Sequence, residues 1–139
     1  MKKSKFYTLQ WTWGIIVNLV GFLIYMVLTK ILGCQSHPYG EATYVILPWE
    51  LNCGFSAGLY IFISPKSEKV LPHEYGHSIQ NAVYGPFNLI IVISSVVRFW
   101  SRRAQKAAGH PPKTGYYDIW FERQASEWGE FAINNFNQF

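Results

Sequence analysis

The chain has 139 residues, of which 50% are hydrophobic, 18% are aromatic and 14% are charged, and its formal net charge is +4. This composition fits one domain with a buried core, and it excludes an intrinsically disordered chain, which carries few apolar and many charged side chains. The two cysteines, Cys34 and Cys53, are too few for a disulfide scaffold or a zinc site built from cysteines.

The first predicted element is a membrane-spanning helix. Residues 6–29 contain no charged side chain, and about 20 apolar residues are enough for a helix to cross the hydrocarbon core of a bilayer. Three lysines precede this run and only Lys30 follows it closely, which predicts a cytoplasmic N-terminus in the cell membrane. One alternative is a cleaved signal peptide, but the apolar run is long for that. The other is a buried core helix, which does not suit a domain this small. We expect residues 1–32 to form an N-terminal membrane anchor.

Two short strands are expected next. β-Branched and aromatic residues dominate residues 42–47 and 59–63, and loops with proline, glycine or single polar residues surround both runs. The phosphate-binding patterns GxxxxGK[ST] and GxGxxG are absent, so nothing favours a nucleotide-binding fold. Residues 33–139 are expected to form the metal-binding domain described below.

The strongest functional motif is an HExxH pattern, His73-Glu74-Tyr75-Gly76-His77. Residues i and i+4 of a helix share one face, so both imidazoles can bind one metal ion. Zinc accepts such nitrogens at about 2.0–2.1 Å and keeps a position open for water. The motif therefore predicts His73 and His77 as metal ligands and Glu74 as the general base. The alternative is an amphipathic helix whose histidines only form hydrogen bonds at a surface.

Such a site needs a third protein ligand. The longer pattern HExxHxxGxxH is excluded, because its glycine and its third histidine are both absent. Glu122 is the expected ligand, since it shares a helix face with small residues at positions 125, 126 and 129 that allow close approach to the HExxH helix. Glu127 is the next candidate, followed by Asp118 and His110.

Residues 73–125 resemble a group of small, largely uncharacterised bacterial membrane proteins. The shared features are HEYGHxxQ, a Gly-Pro before an apolar run, and a downstream Glu-x-x-Ala. More broadly, the chain resembles the zincin-type metallopeptidases whose third ligand is a glutamate. This resemblance implies His73, His77 and Glu122 as Zn²⁺ ligands and Glu74 as the base. The intramembrane site-2 proteases also carry HExxH, but their second ligand motif ends in Asp-Gly, whereas Asp118 here precedes an isoleucine.

A second apolar segment, residues 86–100, follows the motif. If it crossed the membrane fully, His77 and Glu122 would lie on opposite sides and could not share a metal ion. Its apolar centre, residues 87–97, measures about 16 Å as a helix, against about 30 Å for the hydrocarbon core. We therefore expect it to lie in the interface or to dip in and return, with the metal site at the membrane surface. A site at membrane depth is the alternative.

A basic cluster follows this apolar segment and consists of Arg98, Arg102, Arg103 and Lys106. Attraction to anionic lipid head groups accounts for such a cluster. No DNA- or RNA-binding motif accompanies it, so nucleic acid is not an expected partner. The expected partners are the lipid bilayer and a peptide or protein substrate.

The sequence predicts a mostly helical α+β fold with an N-terminal transmembrane helix, a strand pair, the HExxH helix, an apolar helix and a C-terminal ligand helix, followed by a tail over residues 134–139. The function it favours is that of a zinc-dependent metallopeptidase-like membrane protein, in which a metal-activated water attacks a peptide bond. Tyr116, Tyr117 and His110 are the candidate donors to the oxyanion. The alternative is a non-catalytic membrane protein that uses the zincin-like site for structural metal binding or to regulate a partner.

Overall fold

A computed structural model describes residues 2–135 of the chain. Within that range, the chain forms five α-helices and one four-stranded sheet, so the predicted α+β class is confirmed. Residues 136–139 of the predicted tail lie outside the described residues. The elements are α1 (Lys3–Trp11), α2 (Ile15–Met26), β1 (Ser36–Tyr39), β2 (Ala42–Ile46), β3 (Gly54–Ala57), β4 (Tyr60–Ile63), α3 (Leu71–Tyr84), α4 (Asn88–Ala107) and α5 (Trp120–Asn134).

The N-terminal apolar segment forms two helices instead of the single straight helix that we predict from the sequence. α1 and α2 meet at a bend of 88°. The bend is fixed by α3, because the side-chain amide of Asn81 donates to Oε1 of Gln10 at 2.6 Å and to the carbonyl oxygen of Gly14 at 3.1 Å. Gln10 and Asn81 are both fully buried. By length and composition, α1 and the helical stretch Ile15–Ile31 together qualify as a broken membrane span or as a re-entrant loop.

One continuous helical stretch, residues 68–107, is long and apolar enough to cross a membrane. It contains α3 and α4, which are joined by a short 3-10 turn. Only 22% of its most apolar window is buried within the protein, and Ile90, Ile93 and Val97 of α4 are exposed. α2 also exposes large apolar side chains, such as Leu23. α2 and α4 therefore both carry exposed apolar side chains on the surface of the protein.

The two predicted strands are β2 and β4, which lie parallel to each other at the centre of the sheet. β1 and β3 pair antiparallel with them at the two edges, giving the order β1-β2-β4-β3. Neither edge strand is predicted from the sequence, because β1 contains Pro38 and β3 begins at Gly54, and both residue types are rare in strand interiors. Alternate residues of β4 face opposite sides, with Ile61 packed toward α3 and Phe62 toward α2.

After α4 ends, the chain reverses direction and runs back beside α4 toward α3. Arg98 donates hydrogen bonds to the carbonyl oxygens of residues 115 and 116, and Arg102 donates to that of residue 114. The segment before α5 is therefore held against α4 by two arginines of the basic cluster. This return brings α5 back to α3 and explains how His77 and Glu122 meet despite the apolar helix between them.

α3 and α5 pack antiparallel with their backbones in close contact. A Cβ atom on Gly76 would overlap the carbonyl oxygen of Ala125, and one on Gly129 would overlap the carbonyl oxygen of Pro72. The stripe of small residues on α5 therefore does allow the close approach that the sequence predicts. This approach determines how near Glu122 comes to the two histidines.

Candidate metal centre

Three side chains of metal-ligand type meet where α3 faces the first turn of α5. His73 and His77 lie one turn apart on α3 and are each 8% exposed, and Glu122 is fully buried. The Oε2 atom of Glu122 lies 2.9 Å from Nε2 of His73 and 3.2 Å from Nε2 of His77. The structure thus brings together the three ligands that the sequence predicts.

The spacing of these atoms suits a metal ion. The ligand atoms lie within 4.8 Å of one another, and two ligands of a tetrahedral ion with bonds of about 2.0–2.1 Å are about 3.3 Å apart. Two imidazoles and one carboxylate also leave the fourth position of a tetrahedral ion without a protein ligand. The His73–His77–Glu122 group could therefore hold a metal ion and still bind water or a substrate.

Gln80 determines which nitrogen of His77 carries the proton. The Gln80 amide nitrogen donates to the carbonyl oxygen of Phe121 at 2.8 Å, which fixes the amide orientation because a carbonyl oxygen can only accept. Oε1 of Gln80 therefore faces Nδ1 of His77 at 2.7 Å and accepts a hydrogen bond from the N–H group at that position. A neutral His77 then directs the lone pair of Nε2 at the carboxylate of Glu122, 3.2 Å away. Two acceptors at this distance repel, so either the ring is protonated on both nitrogens or a cation lies between the two atoms.

Removing the side-chain oxygen of Gln80 is expected to weaken metal binding. In Gln80→Leu the His77 ring loses its acceptor, and we expect zinc affinity to fall by about 10–100-fold, as for other partners that orient metal ligands. Gln80→Glu keeps an acceptor and should lose less affinity, which separates the effect on His77 from lost packing. Competition with a chelator measures the affinities, and Gln105→Leu, at an exposed position of α4, is the control. Equal affinities for Gln80→Leu and wild type would contradict this role.

Two hydroxyl groups hold the other ligands. Oγ of Ser126 lies 2.8 Å from Nδ1 of His73, and Oγ of Ser95 donates to Oε1 of Glu122 at 2.6 Å. Burial alone raises the pKa of Glu122, but the contacts with both imidazoles and with the Ser95 hydroxyl outweigh it and hold this pKa well below its usual range. Glu122 is therefore a carboxylate at neutral pH, the form that binds a cation.

Glu74 lies next to this group but is not part of it. Its side chain is only 5% exposed, and Oε2 has no hydrogen-bond partner among residues 2–135. A cavity of about 470 Å³ reaches Glu74 and His77, and apolar side chains form most of its lining. A buried carboxylate oxygen without a partner is unfavourable for stability, and this one lies in a cavity beside the His73–His77–Glu122 group.

The predicted oxyanion donors are at different distances from the site. The ring of Tyr117 packs edge to face on His73, with centroids 4.9 Å apart, and Tyr116 lines the cavity. Burial and the nearby carboxylates raise the pKa of both phenols, so both keep their protons and can donate. The structure does not bring His110 to the site, since its backbone bonds to Gln105, about 15 Å along α4 from Ser95.

The alternative acids are not part of the group of possible metal ligands among the described residues. Glu127 is exposed on α5, and Asp118 is exposed and accepts a hydrogen bond from the backbone of Gly115. Glu122 is therefore the acid that the fold brings to both imidazoles.

No protein-family model, no curated protein and no solved structure matches this chain. The interpretation of the site depends on its own geometry.

Gln80 and Ser95 are contacts of the site that the sequence does not predict. Gln80 follows His77 by three residues, so helix periodicity is a signal that places it on the same face as the histidines. Ser95 lies within an apolar helix, and no local pattern distinguishes it from Ser94.

Proposed function

We propose that this protein is a zinc-dependent metallopeptidase of the membrane. The observation that carries the proposal is the buried carboxylate of Glu74, which lines a cavity beside the His73–His77–Glu122 group. A site that only held a metal would need the three ligands and would gain nothing from burying a second acid whose Oε2 is unpartnered within residues 2–135.

Zinc is the proposed ion because two imidazoles and one carboxylate, with a fourth position open, form a donor set of known catalytic zinc sites. When bound, zinc supplies Lewis acidity, which polarises a carbonyl group and acidifies a water. His73, His77 and Glu122 would hold the ion. Gln80 and Ser95 orient two of these ligands through the hydrogen bonds described above.

Glu74 is the proposed general base and acid. It would take a proton from the attacking water and deliver it to the leaving amine, so one carboxylate would serve both steps. Tyr116, whose side chain lines the same cavity, is the proposed hydrogen-bond donor to the oxyanion. The apolar walls would keep bulk water out and so strengthen both interactions.

The cell membrane is the proposed location, with the N-terminus in the cytoplasm. The helical stretch 68–107 is long and apolar enough to cross a bilayer, and large apolar side chains of α2 and α4 are exposed on the protein surface. The orientation is proposed from the three lysines that precede residue 6.

Replacing Glu74 by glutamine tests the catalytic role. The Glu74→Gln variant keeps the size of the side chain but removes the base, so zinc content should match wild type while peptide hydrolysis falls by about 10²–10⁴-fold. Hydrolysis of a mixture of short peptides of diverse sequence is followed by mass spectrometry. Glu68→Gln, the same change at an exposed position before α3, is the control and should retain activity. The proposal fails if wild type cuts no peptide or if Glu74→Gln cuts as fast as wild type.

A metal site without catalysis is the second candidate. The near-complete burial of all three ligands is the observation that favours it, because a catalytic ion must keep one position that water or substrate can reach. In that case a chelator should unfold the protein, Glu74→Gln should keep wild-type zinc content and stability, and wild type should cut no peptide.

A further inference from the structure

The cavity beside Glu74 lies between the two helical segments that also carry the exposed apolar side chains. Val27 and Leu28, in the π-helical turn after α2, line one wall, and Val92 and Val96 of α4 line another. Its volume of about 470 Å³ falls in the range of about 300–1000 Å³ typical of ligand pockets. Voids of this size are not a normal part of a close-packed interior, so the cavity is suited to an occupant.

The lining of the cavity favours an apolar occupant. Among the described residues that line the cavity there is no lysine or arginine, and Glu74 is the acidic one. Most of the other lining side chains are apolar, such as Leu32, Phe55 and Phe99. A charged occupant would lose its hydration there and find few compensating partners. An apolar one is stabilised in proportion to the apolar surface that it removes from water.

The cavity opens toward the apolar surface of the protein. Val27 and Val96 both line it, yet they are 48% and 40% exposed. Leu23 and Ile31, which flank Val27 in the chain, are exposed as well. A contiguous apolar surface of this kind marks contact with a membrane or a partner, and lipid hydrocarbon would cover it. An occupant would therefore reach the cavity from the lipid phase.

An edge strand along the cavity favours a peptide over an acyl chain. Within the described residues β3 pairs with β4 alone, and Gly54, Phe55 and Ser56 of β3 line the cavity. The hydroxyl of Ser56, on the same strand, is buried against Glu74. A peptide backbone carries donors and acceptors that can pair with such a strand, whereas an acyl chain carries none.

We propose that this cavity binds an apolar segment of a membrane-embedded polypeptide, which enters from the lipid phase between α2 and α4. The inference rests on the proposed peptidase function and names its substrate class. It explains why the carboxylate of Glu74 is reached through apolar walls.

Cys53 provides a direct measure of occupancy because its side chain lines the cavity. In Cys34→Ser it is the one remaining thiol. The protein is held in an amphipathic polymer without lipid, and the rate of maleimide labelling is measured with and without a synthetic peptide of leucine and alanine flanked by lysines. At about nine times its Kd the peptide occupies about 90% of the sites and should slow labelling about tenfold. A serine- and glutamine-rich peptide of equal length should have no effect.

A pair of neighbouring substitutions on α4 provides the matched control. Val96→Trp places a large ring in the cavity and should weaken binding of the fluorescently labelled apolar peptide by about tenfold or more. Val97→Trp makes the same change one residue later, at a side chain that is 61% exposed and outside the lining, and should bind as wild type does. Both variants should retain wild-type zinc content, which verifies that they fold.

Three results would overturn the inference. The first is that the polar peptide protects Cys53 as well as the apolar peptide does. The second is that lysophosphatidylcholine protects Cys53 and the apolar peptide does not. The third is that Val96→Trp binds the apolar peptide with unchanged affinity. Protection together with no hydrolysis by wild type would contradict the proposed function and support the binding site. Hydrolysis of polar peptides without protection by the apolar one would contradict the substrate class and leave the peptidase proposal standing.

Discussion

Alanine in place of Glu122 is expected to leave the protein without bound zinc. Glu122 supplies the carboxylate of the His73–His77–Glu122 group, and its Oε2 faces Nε2 of both imidazoles. Loss of a partner that only orients a ligand lowers metal affinity about 10–100-fold, and loss of a ligand should exceed that. Zinc content after purification in detergent should fall from about one ion per chain to near zero, and His77→Ala should give the same result.

Glu127→Ala is the matched control for this experiment. Glu127 also lies on α5 but is exposed, so its removal should leave zinc content at the wild-type level. If Glu122→Ala retained zinc while His77→Ala lost it, another acid would have to be the third ligand, and loss in Glu127→Ala would identify it. Absence of zinc and of other divalent metals from every sample would remove the basis of the metallopeptidase proposal.

A single added methyl group at Gly76 is expected to separate the two helices that form the site. The Cβ atom of Gly76→Ala would overlap the carbonyl oxygen of Ala125, a backbone atom that cannot rotate away. Overpacking typically lowers the free energy of unfolding by about 1–3 kcal/mol. Because His77 lies on α3 and Glu122 on α5, the separation should also move the ligands apart. We expect a lower melting temperature, followed by circular dichroism, together with loss of zinc.

Two further variants identify the cause of this effect. Gly129→Ala should behave in the same way, because its Cβ atom would overlap the carbonyl oxygen of Pro72 across the same interface. Val83→Ala changes an exposed side chain of α3 and should alter neither zinc content nor melting temperature. A Gly76→Ala protein with both properties at wild-type values would show that α3 and α5 do not pack as closely as described.

The parts of the site that the sequence predicts are those governed by local geometry. Helix periodicity puts His73 and His77 on one face of α3, and the small residues that follow Glu122 indicate a surface for close helix packing. These patterns lie within single helices, so no knowledge of the fold is needed to read them. Residues 42–47 and 59–63 are similar cases, since their residue types alone favour strands.

The features that the sequence does not predict depend on contacts between distant segments. The bend between α1 and α2 depends on Gln10 and Asn81, which are 71 residues apart. Ser95 reaches Glu122 because the chain returns along α4 through hydrogen bonds from Arg98 and Arg102, and hydropathy does not reveal that return. The segment 86–100 therefore has an apolar sequence and still contributes a polar group to the site.

The distance between the ligands along the chain has a consequence for folding. His77 and Glu122 are 45 residues apart, with all of α4 and its return between them. An ion bound by both would crosslink the chain, and closing a loop of this length in the unfolded state stabilises a protein by about 4 kcal/mol in the chain-entropy model. Whole domains are stable by only about 5–15 kcal/mol. A large part of the stability of the α3–α5 arrangement would then come from the metal ion rather than from the small apolar core.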